Sequence, residues 1–444
     1  MNLKDQPFKW YSPKNTEDGS LDAWANDPCS ILYDKEQKLY YSWMLFRNGR
    51  DFPSGWVEMV SSDLNTWTQT EIRIKEGREF FQISYPPAAM GGSVWIDDNG
   101  QFFDKGDVVF LISMQECKIM DSQTSVRGVK ANQDYTGDSG IAYYVSHGLG
   151  KPIYKAGVLA PQGKNPTSTD WRDPYVYETD KGLYFAISAH DRVEFWKINS
   201  FNTDDIEKVD QLYVRPFGVE VPNVIRFGEN TWYICCSVQD APEGKPFQSA
   251  YWYLCNLIEG KFKVYAQGQH EYGTEGYAQR VANPWQTRIA PFAISRTMAA
   301  NWAYNTDIWE WKGGCFGSEQ LTIKDNNAFL APYDWIGNYS DNGTAVYKLK
   351  AKEMVQGYRL KFNKGDFIFH LKSNKITWNN NVNTTLLKWT STGGPANEND
   401  DIIIVWNKTT LTFYNITQGW NAHFMLPQST THTLNANAMG LINY

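Results

Sequence analysis

The sequence lacks the features typical of membrane, nucleic-acid-binding and zinc proteins. No apolar run is long enough to span a membrane, so no membrane helix is predicted. Charged residues make up 20% of the 444 residues, the formal net charge is −7 and no basic run is present, which argues against nucleic acid as a partner. The six cysteines show no Cys-x-x-Cys pair and the six histidines show no ligand spacing, so no metal site is predicted.

The amino terminus also lacks the apolar core of a signal peptide, since the chain starts Met1–Asp5 with polar and charged residues. Two interpretations remain: a cytoplasmic protein, or a secreted one whose leader is not part of this chain. The secreted interpretation is favoured. Whether the protein is a monomer or a homodimer is left open by the sequence.

Helical periodicity is scarce, and short runs of aromatic and β-branched residues separated by Gly, Asn, Asp and Pro take its place. Examples are residues 39–43, 108–112, 183–187 and 232–236. Aromatic residues make up 15% of the chain. Most of them are expected to pack strands together, while a few in a cleft would suit the flat faces of sugar rings. The chain is therefore predicted to be all-β.

These strands are part of a longer sequence repeat. A polar or acidic strand start is followed by a turn and an aromatic-rich strand, as in residues 27–43, 92–113, 173–188 and 220–237. About five such units precede residue 330, which predicts a five-bladed β-propeller over residues 1–328. Alternating and fully apolar runs separated by Asn-rich turns follow, and they predict a C-terminal β-sandwich over residues 329–444.

Three acidic residues, each close to a proline, begin strands of this pattern. They are Asp27 before Pro28, Asp173 before Pro174, and Glu220 two residues before Pro222. In a propeller the inner strands converge on one channel, so these distant residues are expected to meet. Glycoside hydrolysis needs one carboxyl group to protonate the leaving oxygen and another to attack the anomeric carbon or activate water. A third acid can hold the sugar hydroxyls.

The motifs resemble those of glycoside hydrolase family 32, the invertase, inulinase and levanase family of β-fructosidases. Trp24–Pro28 matches the Trp-x-Asn-Asp-Pro motif, and Trp171–Pro174 matches the Arg-Asp-Pro motif. Glu220–Pro222 stands where the family has Glu-Cys-Pro or Glu-Val-Pro, and Gly91–Val94 stands at the Ser-Gly-Ser segment. Residues 56–67 are similar to the family's tryptophan-containing strand pair, which follows the first of these motifs. The resemblance covers roughly residues 7 to 335.

The resemblance implies a role for each residue. Asp27 would be the nucleophile, Glu220 the general acid and then base, and Asp173 the group that binds fructose hydroxyls. The implied substrate-binding residues are Asn26, Trp56, Gly92, Ser93 and Arg172. Trp43 and Trp302 are further candidates that could be either subsite walls or core residues. The implied reaction is double displacement on sucrose or fructans, and it requires no metal or cofactor.

Some positions depart from the family pattern. Cys29 and Ser30 follow the Asp-Pro pair where the family usually has Asn-Gly, and cysteine there also occurs in members that transfer fructose to sugars. Residues near Ser42 and Trp43 replace a family glutamine. The carboxy-terminal part is shorter than usual and its ending motif is not found.

Two other functions are compatible with the same residues. One is an inverting arabinan- or xylan-cleaving enzyme of a related five-bladed family, which would hold its carboxyl groups about 6.5 Å or more apart instead of about 5 to 5.5 Å. The other is a sugar-binding propeller without catalysis. Asn26 before Asp27 and residues 56–67 favour the fructosidase, and the presence of all three acids argues against a binding protein.

Overall fold

A computed structural model describes most of the chain between residues 24 and 441. The described ranges are 24–47, 55–62, 67–74, 87–119, 133–161, 171–214, 218–238, 249–270, 276–282, 292–297, 319–332, 339–341, 344–350, 358–362, 365–370, 375–380, 397–407, 410–425 and 440–441. Within these ranges every regular element is a β-strand, which confirms the all-β prediction. None of the described residues forms a helix that could cross a membrane.

The first twenty strands form five antiparallel sheets of four strands, and each sheet is built from strands that are consecutive in the chain. The first sheet contains β1 (Trp24–Asp34), β2 (Leu39–Arg47), β3 (Gly55–Ser61) and β4 (Thr68–Ile74). The second contains β5 (Pro87–Ile96), β6 (Val108–Ile119), β7 (Gln133–Ser146) and β8 (Ile153–Ala160). The third contains β9 (Trp171–Thr179), β10 (Gly182–Ala189), β11 (Arg192–Ile198) and β12 (Ile206–Tyr213). The fourth contains β13 (Val219–Arg226), β14 (Trp232–Val238), β15 (Ser249–Ile258) and β16 (Lys261–Gln269). The fifth contains β17 (Gly276–Val281), β18 (Phe292–Thr297), β19 (Glu319–Lys324) and β20 (Asn327–Pro332).

The first strands of the five sheets are neighbours in a closed ring. β1 contacts β5, β5 contacts β9, β9 contacts β13, β13 contacts β17, and β17 returns to β1. Each sheet therefore extends outward from a common centre, a propeller-like arrangement. Such a ring brings residues at the start of each sheet together although they are far apart in the sequence.

Apolar residues fill the spaces between adjacent sheets. Trp43 of β2 packs edge-on against Phe110 of β6, with ring centroids 5.4 Å apart. Trp232 of β14 packs against Tyr177 of β9 at 5.9 Å. Burial of these large side chains stabilises each sheet against its neighbour by about 1.5–3 kcal/mol per side chain. Among the described residues, aromatic side chains thus contribute to packing between sheets.

Two more sheets follow the ring. One contains β21 (Tyr339–Asp341), β22 (Thr344–Lys350), β26 (Asp401–Asn407), β27 (Thr410–Asn415) and β28 (Trp420–Met425) in that order. The other contains β25 (Lys375–Asn380), β24 (Gly365–His370), β23 (Tyr358–Phe362) and β29 (Gly440–Leu441). Since β20 runs to Pro332 and pairs with β19, it crosses the predicted domain boundary between residues 328 and 329. The backbone N–H of Asn421 donates to the carbonyl of His270 at 2.9 Å, which ties these sheets to the ring.

Candidate active site

All five strands of the ring are interrupted by a β-bulge at the same level. At each bulge the first strand advances by three residues while its partner advances by two. The paired residues on either side of the bulges are Ala25 and Pro28, Ala89 and Gly92, Arg172 and Tyr175, Glu220 and Asn223, and Tyr277 and Arg280. A bulge leaves a residue without ladder partners and redirects its side chain. Five bulges at one level therefore create a set of redirected groups around the centre.

The prolines of the three acidic motifs lie within these bulges (Pro174 and Pro222) or at the edge of one (Pro28). Proline lacks a backbone N–H, so it is tolerated where ladder hydrogen bonds are interrupted. Asp173 adopts φ = 63° and Val221 adopts φ = 52° beside Pro174 and Pro222. Aspartate enters this left-handed region readily, whereas a β-branched residue does so only under strain. The strain at Val221 is held by the surrounding bulges.

The ring brings together the three acids that the sequence motifs single out. Asp27, Asp173 and Glu220 lie on β1, β9 and β13, and their exposed fractions are 7%, 1% and 7%. The backbone N–H of Val221, next to Glu220, donates to Oδ2 of Asp173 at 3.1 Å. Asp173 also lies within electrostatic reach of both other acids. Three nearly buried carboxyl groups thus share one small volume.

Arg172 pairs with the third acid. Its Nη2 lies 2.7 Å from Oε1 of Glu220, and 18% of the arginine side chain remains exposed. The guanidinium therefore bridges β9 and β13 at the rim of the carboxyl cluster. A partly exposed charge beside nearly buried acids is well placed to contact a ligand that enters the centre.

Asp173 has a strongly perturbed acidity. Burial is the main cause that raises its pKa from 3.8 to about 7, and the negative charges of Glu220 and Asp27 raise the pKa further. Arg172 and Arg280 act in the opposite direction, because a positive charge favours the carboxylate. Perturbation of this kind is common at functional sites.

Buried serines of the second strands hold the bulges in place. The hydroxyl of Ser113 on β6 donates to the carbonyl of Gly91 at 3.0 Å and accepts the backbone N–H of Asp173 at 3.1 Å. Ser237 on β14 accepts the N–H of Ala278 at 2.9 Å. These serines connect adjacent sheets at the level of the acids, so the carboxyl groups are carried by a rigid frame.

Gly92 and Ser93, which were predicted to line the sugar subsite, make structural contacts between the sheets. A Cβ on Gly92 would collide with the carbonyl of Leu111, so glycine is required there for close packing of β5 on β6. The hydroxyl of Ser93 accepts the backbone N–H of Val176 at 2.8 Å, and its side chain is buried. Both residues therefore support the centre from the second sheet.

Trp56, predicted as a sugar platform, and Trp43, predicted as either a subsite wall or a core residue, are both inaccessible in this structure. Each is 0% exposed. The indole N–H of Trp43 donates to Oε2 of Glu58 at 3.0 Å, and that of Trp56 donates to the carbonyl of Met90 at 2.8 Å. The rings pack the first sheet against the second. The side chain of Asn26, and all of Trp302, lie outside the described residues.

Arg280 was not predicted to belong to the site. It lies on β17 with 0% exposure, and its guanidinium donates to backbone carbonyls of three other first strands. Residues 276–281 contain no acid and no proline, so they do not share the pattern of the three acidic motifs. A charged residue inside a strand without any other charged residue was the available signal.

One group of potential metal ligands occurs among the described residues, and it is built from the second sheet. Ligand atoms of Asp104, Asp107 and His147 lie within 4.8 Å of one another. Nδ1 of His147 is 3.0 Å from Oδ1 of Asp107, so these groups already bind each other. The group contains none of the three central acids.

Gly91 has a specific steric role at the site. A Cβ built on Gly91 would overlap the carboxyl group of Asp173. We expect Gly91→Ala to displace that carboxyl and to lower kcat about 100-fold, since displacements of about 1 Å have effects of that size. Gly228→Ala is the matched control, because nothing lies within 4 Å of its Cβ position. Initial rates and thermal melting of both variants test this, and full activity of Gly91→Ala would contradict it.

The raised pKa of Asp173 has a consequence for stability. The folded pKa of about 7 lies above the usual 3.8, so ionisation of Asp173 lowers the stability of the folded state progressively between these pH values. The amide of Asp173→Asn never ionises. Its stability relative to the natural protein should therefore rise between pH 4 and pH 8, by roughly 1 kcal/mol or more.

Urea denaturation at both pH values checks this expectation. Asp97→Asn is the control, because Asp97 is a buried carboxyl that accepts three backbone N–H groups, from Gln101, Phe102 and Phe103. That variant should be less stable than the natural protein, because the three hydrogen bonds to the carboxylate are weakened. If Asp173→Asn loses as much stability relative to the natural protein at pH 8 as at pH 4, the folded state does not disfavour the ionised form of Asp173.

Comparison with known proteins gives a consistent family assignment. The model of the glycosyl hydrolases family 32 N-terminal domain matches residues 20–332. A protein of Aspergillus rugulosus, named as the glycosyl hydrolase ecdE, is 23% identical over 222 residues. That match covers 48% of this chain and 29% of the relative, so the chain spans well under half of that protein's length.

Several solved structures share the fold. An exo-inulinase from Aspergillus awamori is 14% identical with a TM-score of 0.68, and the match covers 96% of this chain and 94% of that chain. A β-fructofuranosidase from Schwanniomyces occidentalis, complexed with fructosyl-erythritol, is 12% identical with a TM-score of 0.68 over 98% and 93% of the two chains. A sucrose-6-phosphate hydrolase from Lactobacillus gasseri is 16% identical with a TM-score of 0.67 over 99% and 94%. At these identities the likeness concerns the fold alone.

The ring of sheets and the family match define the class of protein as a glycoside hydrolase. Since the family model covers residues 20–332 of 444, the chain belongs to glycoside hydrolase family 32. The resemblance noted in the motifs is thereby confirmed.

Proposed function

We propose that the protein is a retaining β-fructofuranosidase that cleaves fructosyl linkages of sucrose or fructans by double displacement. The clustering of Asp27, Asp173 and Glu220 at the bulges of three of the five first strands is the observation that carries this proposal. Family membership supports it, because the motifs that hold these acids are those of the family's β-fructosidases.

In the first step, the carboxylate of Asp27 attacks the anomeric carbon of the fructosyl unit while Glu220 donates its proton to the leaving oxygen. The bond between that carbon and the leaving oxygen breaks, and a covalent fructosyl-enzyme forms. In the second step, Glu220 takes a proton from water, whose oxygen attacks the same carbon and releases Asp27. Two displacements retain the configuration.

Asp173 and Arg172 act on the sugar rather than on the bond that breaks. The carboxylate of Asp173 accepts hydrogen bonds from hydroxyl groups of the fructosyl unit and stabilises the positive charge that develops in the transition state. Arg172 holds Glu220 at 2.7 Å in the free protein. A bound sugar hydroxyl that attracts the guanidinium would loosen this pair, and Glu220 could then hold the proton it must deliver.

We further infer that the five four-stranded sheets are the five blades of one propeller and that the two carboxy-terminal sheets form a β-sandwich. The closed ring of first strands supports the five-bladed count. The change from one unit to the other then falls between Pro332, where β20 ends, and Tyr339, where β21 begins.

Product analysis on sucrose, inulin and levan in parallel tests the proposed function. Release of free fructose from any of them would support it, and the best substrate would identify the preferred linkage. Kestose-type oligosaccharides at high sucrose concentration would mean fructosyl transfer and would direct attention to Cys29 next to the nucleophile. Absence of product from all three substrates, with cleavage of an arabinan or a xylan, would overturn the proposal in favour of the inverting alternative.

A further inference from the structure

Arg280 occupies an unusual place for a charged residue. Its side chain is completely buried, and each nitrogen of its guanidinium group donates to a backbone carbonyl on a different strand. Nε donates to Pro28 of β1 at 3.1 Å, Nη1 to Pro222 of β13 at 2.6 Å, and Nη2 to Gly92 of β5 at 3.0 Å. Arg280 itself belongs to β17, so one side chain connects four of the five first strands.

The remaining first strand is reached through an aromatic ring. The guanidinium carbon of Arg280 lies 5.5 Å from the ring centroid of Tyr175 on β9, within the range of a cation–π contact. The hydroxyl of Tyr175 donates in turn to the carbonyl of Val281 at 3.1 Å. Arg280 therefore contacts all five strands of the ring at the level of their bulges.

The bulges explain why an arginine suits this place. Each carbonyl that it binds lies within a bulge or at its edge, where the ladder is irregular and an acceptor needs another donor. A guanidinium offers five N–H donors in a fixed planar fork, which no other side chain does. Pro28 directly follows Asp27, and Pro222 is two residues after Glu220. The positions of the two acids are thus linked through one side chain.

The charge of Arg280 also reaches the third acid. It lowers the pKa of Asp173, against the larger effects of burial and of Glu220. The charged groups that face Asp173 are Asp27 on β1, Arg172 on β9, Glu220 on β13 and Arg280 on β17. Arg172 lowers this pKa more strongly than Arg280 does, but Arg172 is paired with Glu220 and partly exposed, whereas Arg280 is completely buried.

We propose that Arg280 is a positioning residue of the active site: it fixes the strands that carry Asp27 and Glu220 relative to each other and provides the buried positive charge beneath the carboxyl cluster. This inference rests on the proposed function only for its effect on turnover. The contacts themselves belong to the structure of the free protein.

Two substitutions separate the geometric contribution from the electrostatic one. Arg280→Lys keeps the charge but not the planar fork, so we expect kcat to fall about 100-fold through misplaced carboxyl groups. Arg280→Gln removes both, so kcat should fall at least as far, and the acid limb of the pH profile should move upward by about one pH unit. In Arg280→Lys that limb should stay near its natural position.

Arg73→Lys is the matched control. Arg73 is also nearly buried, with Nη2 at 2.7 Å from Glu58 and Nη1 donating to the carbonyl of Lys151 at 2.9 Å, but it lies on β4, the outermost strand of its sheet. This control should lower the melting temperature without changing kcat or the pH profile. A structural role alone for Arg280 would give the same pattern as Arg73.

A second readout does not depend on any substrate. Labelling of aspartate carboxyl carbons with ¹³C, with the signal assigned by its loss in Asp173→Asn, gives the titration of Asp173 directly. We expect this titration at higher pH in Arg280→Gln and nearly unchanged in Arg280→Lys. If the natural protein is inactive on all fructosides, the proposed function is refuted. The titration of Asp173 then still tests whether the charge of Arg280 stabilises its carboxylate. Folded Arg280 variants with natural kcat and natural titration would overturn the inference.

Discussion

Asp27→Asn is expected to reduce turnover of a cleaved fructoside by about 10⁴-fold or more, the size of effect seen when a nucleophile is removed. The amide is nearly the same size as the carboxyl but cannot attack the anomeric carbon. The substitution keeps the size of the side chain, so we expect the bulge at Asp27 and the surrounding strands to be retained. Binding of fructose, measured by titration calorimetry, should therefore persist while kcat is lost.

Asp97→Asn controls for the loss of a buried carboxyl elsewhere in the same ring of sheets. Asp97 accepts backbone N–H groups of a turn between β5 and β6, so its replacement should lower stability and leave kcat unchanged. An Asp27→Asn variant with the activity of the natural protein would show that the nucleophile has been misassigned. Parallel losses in both variants would mean that stability, and not chemistry, had been measured.

Glu220→Gln is expected to lower kcat on sucrose about 10³-fold, because general acid–base catalysis contributes about 10²- to 10⁴-fold. The loss should be much smaller for the first step on a fructoside with a phenolate leaving group, which departs without a proton. The second step should remain slow on any substrate, since the same residue activates water. Burst kinetics with the phenolate substrate would separate the two steps.

Glu194→Gln is the matched control for an ion-paired buried glutamate. Oε1 of Glu194 lies 2.9 Å from Nε of Arg192 and 2.6 Å from Nζ of Lys208, in a setting that resembles the pair of Glu220 with Arg172. Its replacement should destabilise the third sheet without affecting either catalytic step. An equal loss of rate on both kinds of fructoside in Glu220→Gln would argue against an acid role for Glu220.

The strand content and the convergence of the three acids followed from the sequence. Runs such as residues 108–112 and 232–236 lie within β6 and β14, because aromatic and β-branched residues pack well on both faces of a sheet covered by its neighbours. Proline beside each acid was also informative. A residue without an N–H marks the point where the ladder is broken, and in this fold the ladder is broken where the side chains must be redirected.

The environment of the acids was harder to predict from the sequence. Tryptophan fits a sugar platform and a core equally well, and only the burial of Trp43 and Trp56 separates the two roles. The family motif marks the position of Ser93 but not its contacts, and the contact of its hydroxyl with the backbone N–H of Val176 on β9 could not be predicted from it. Arg280 was missed since its importance depends on carbonyls from strands that lie up to 252 residues away.

The measurement that tests the central claim most directly is mass spectrometry of the peptide that carries Asp27. Glu220→Gln would be mixed briefly with a fructoside that has a phenolate leaving group, then quenched with acid and digested. Because the variant can form the covalent intermediate but hydrolyses it slowly, we expect the mass of one fructosyl unit on Asp27. Product release without any adduct on this peptide, together with inverted configuration, would contradict double displacement through Asp27.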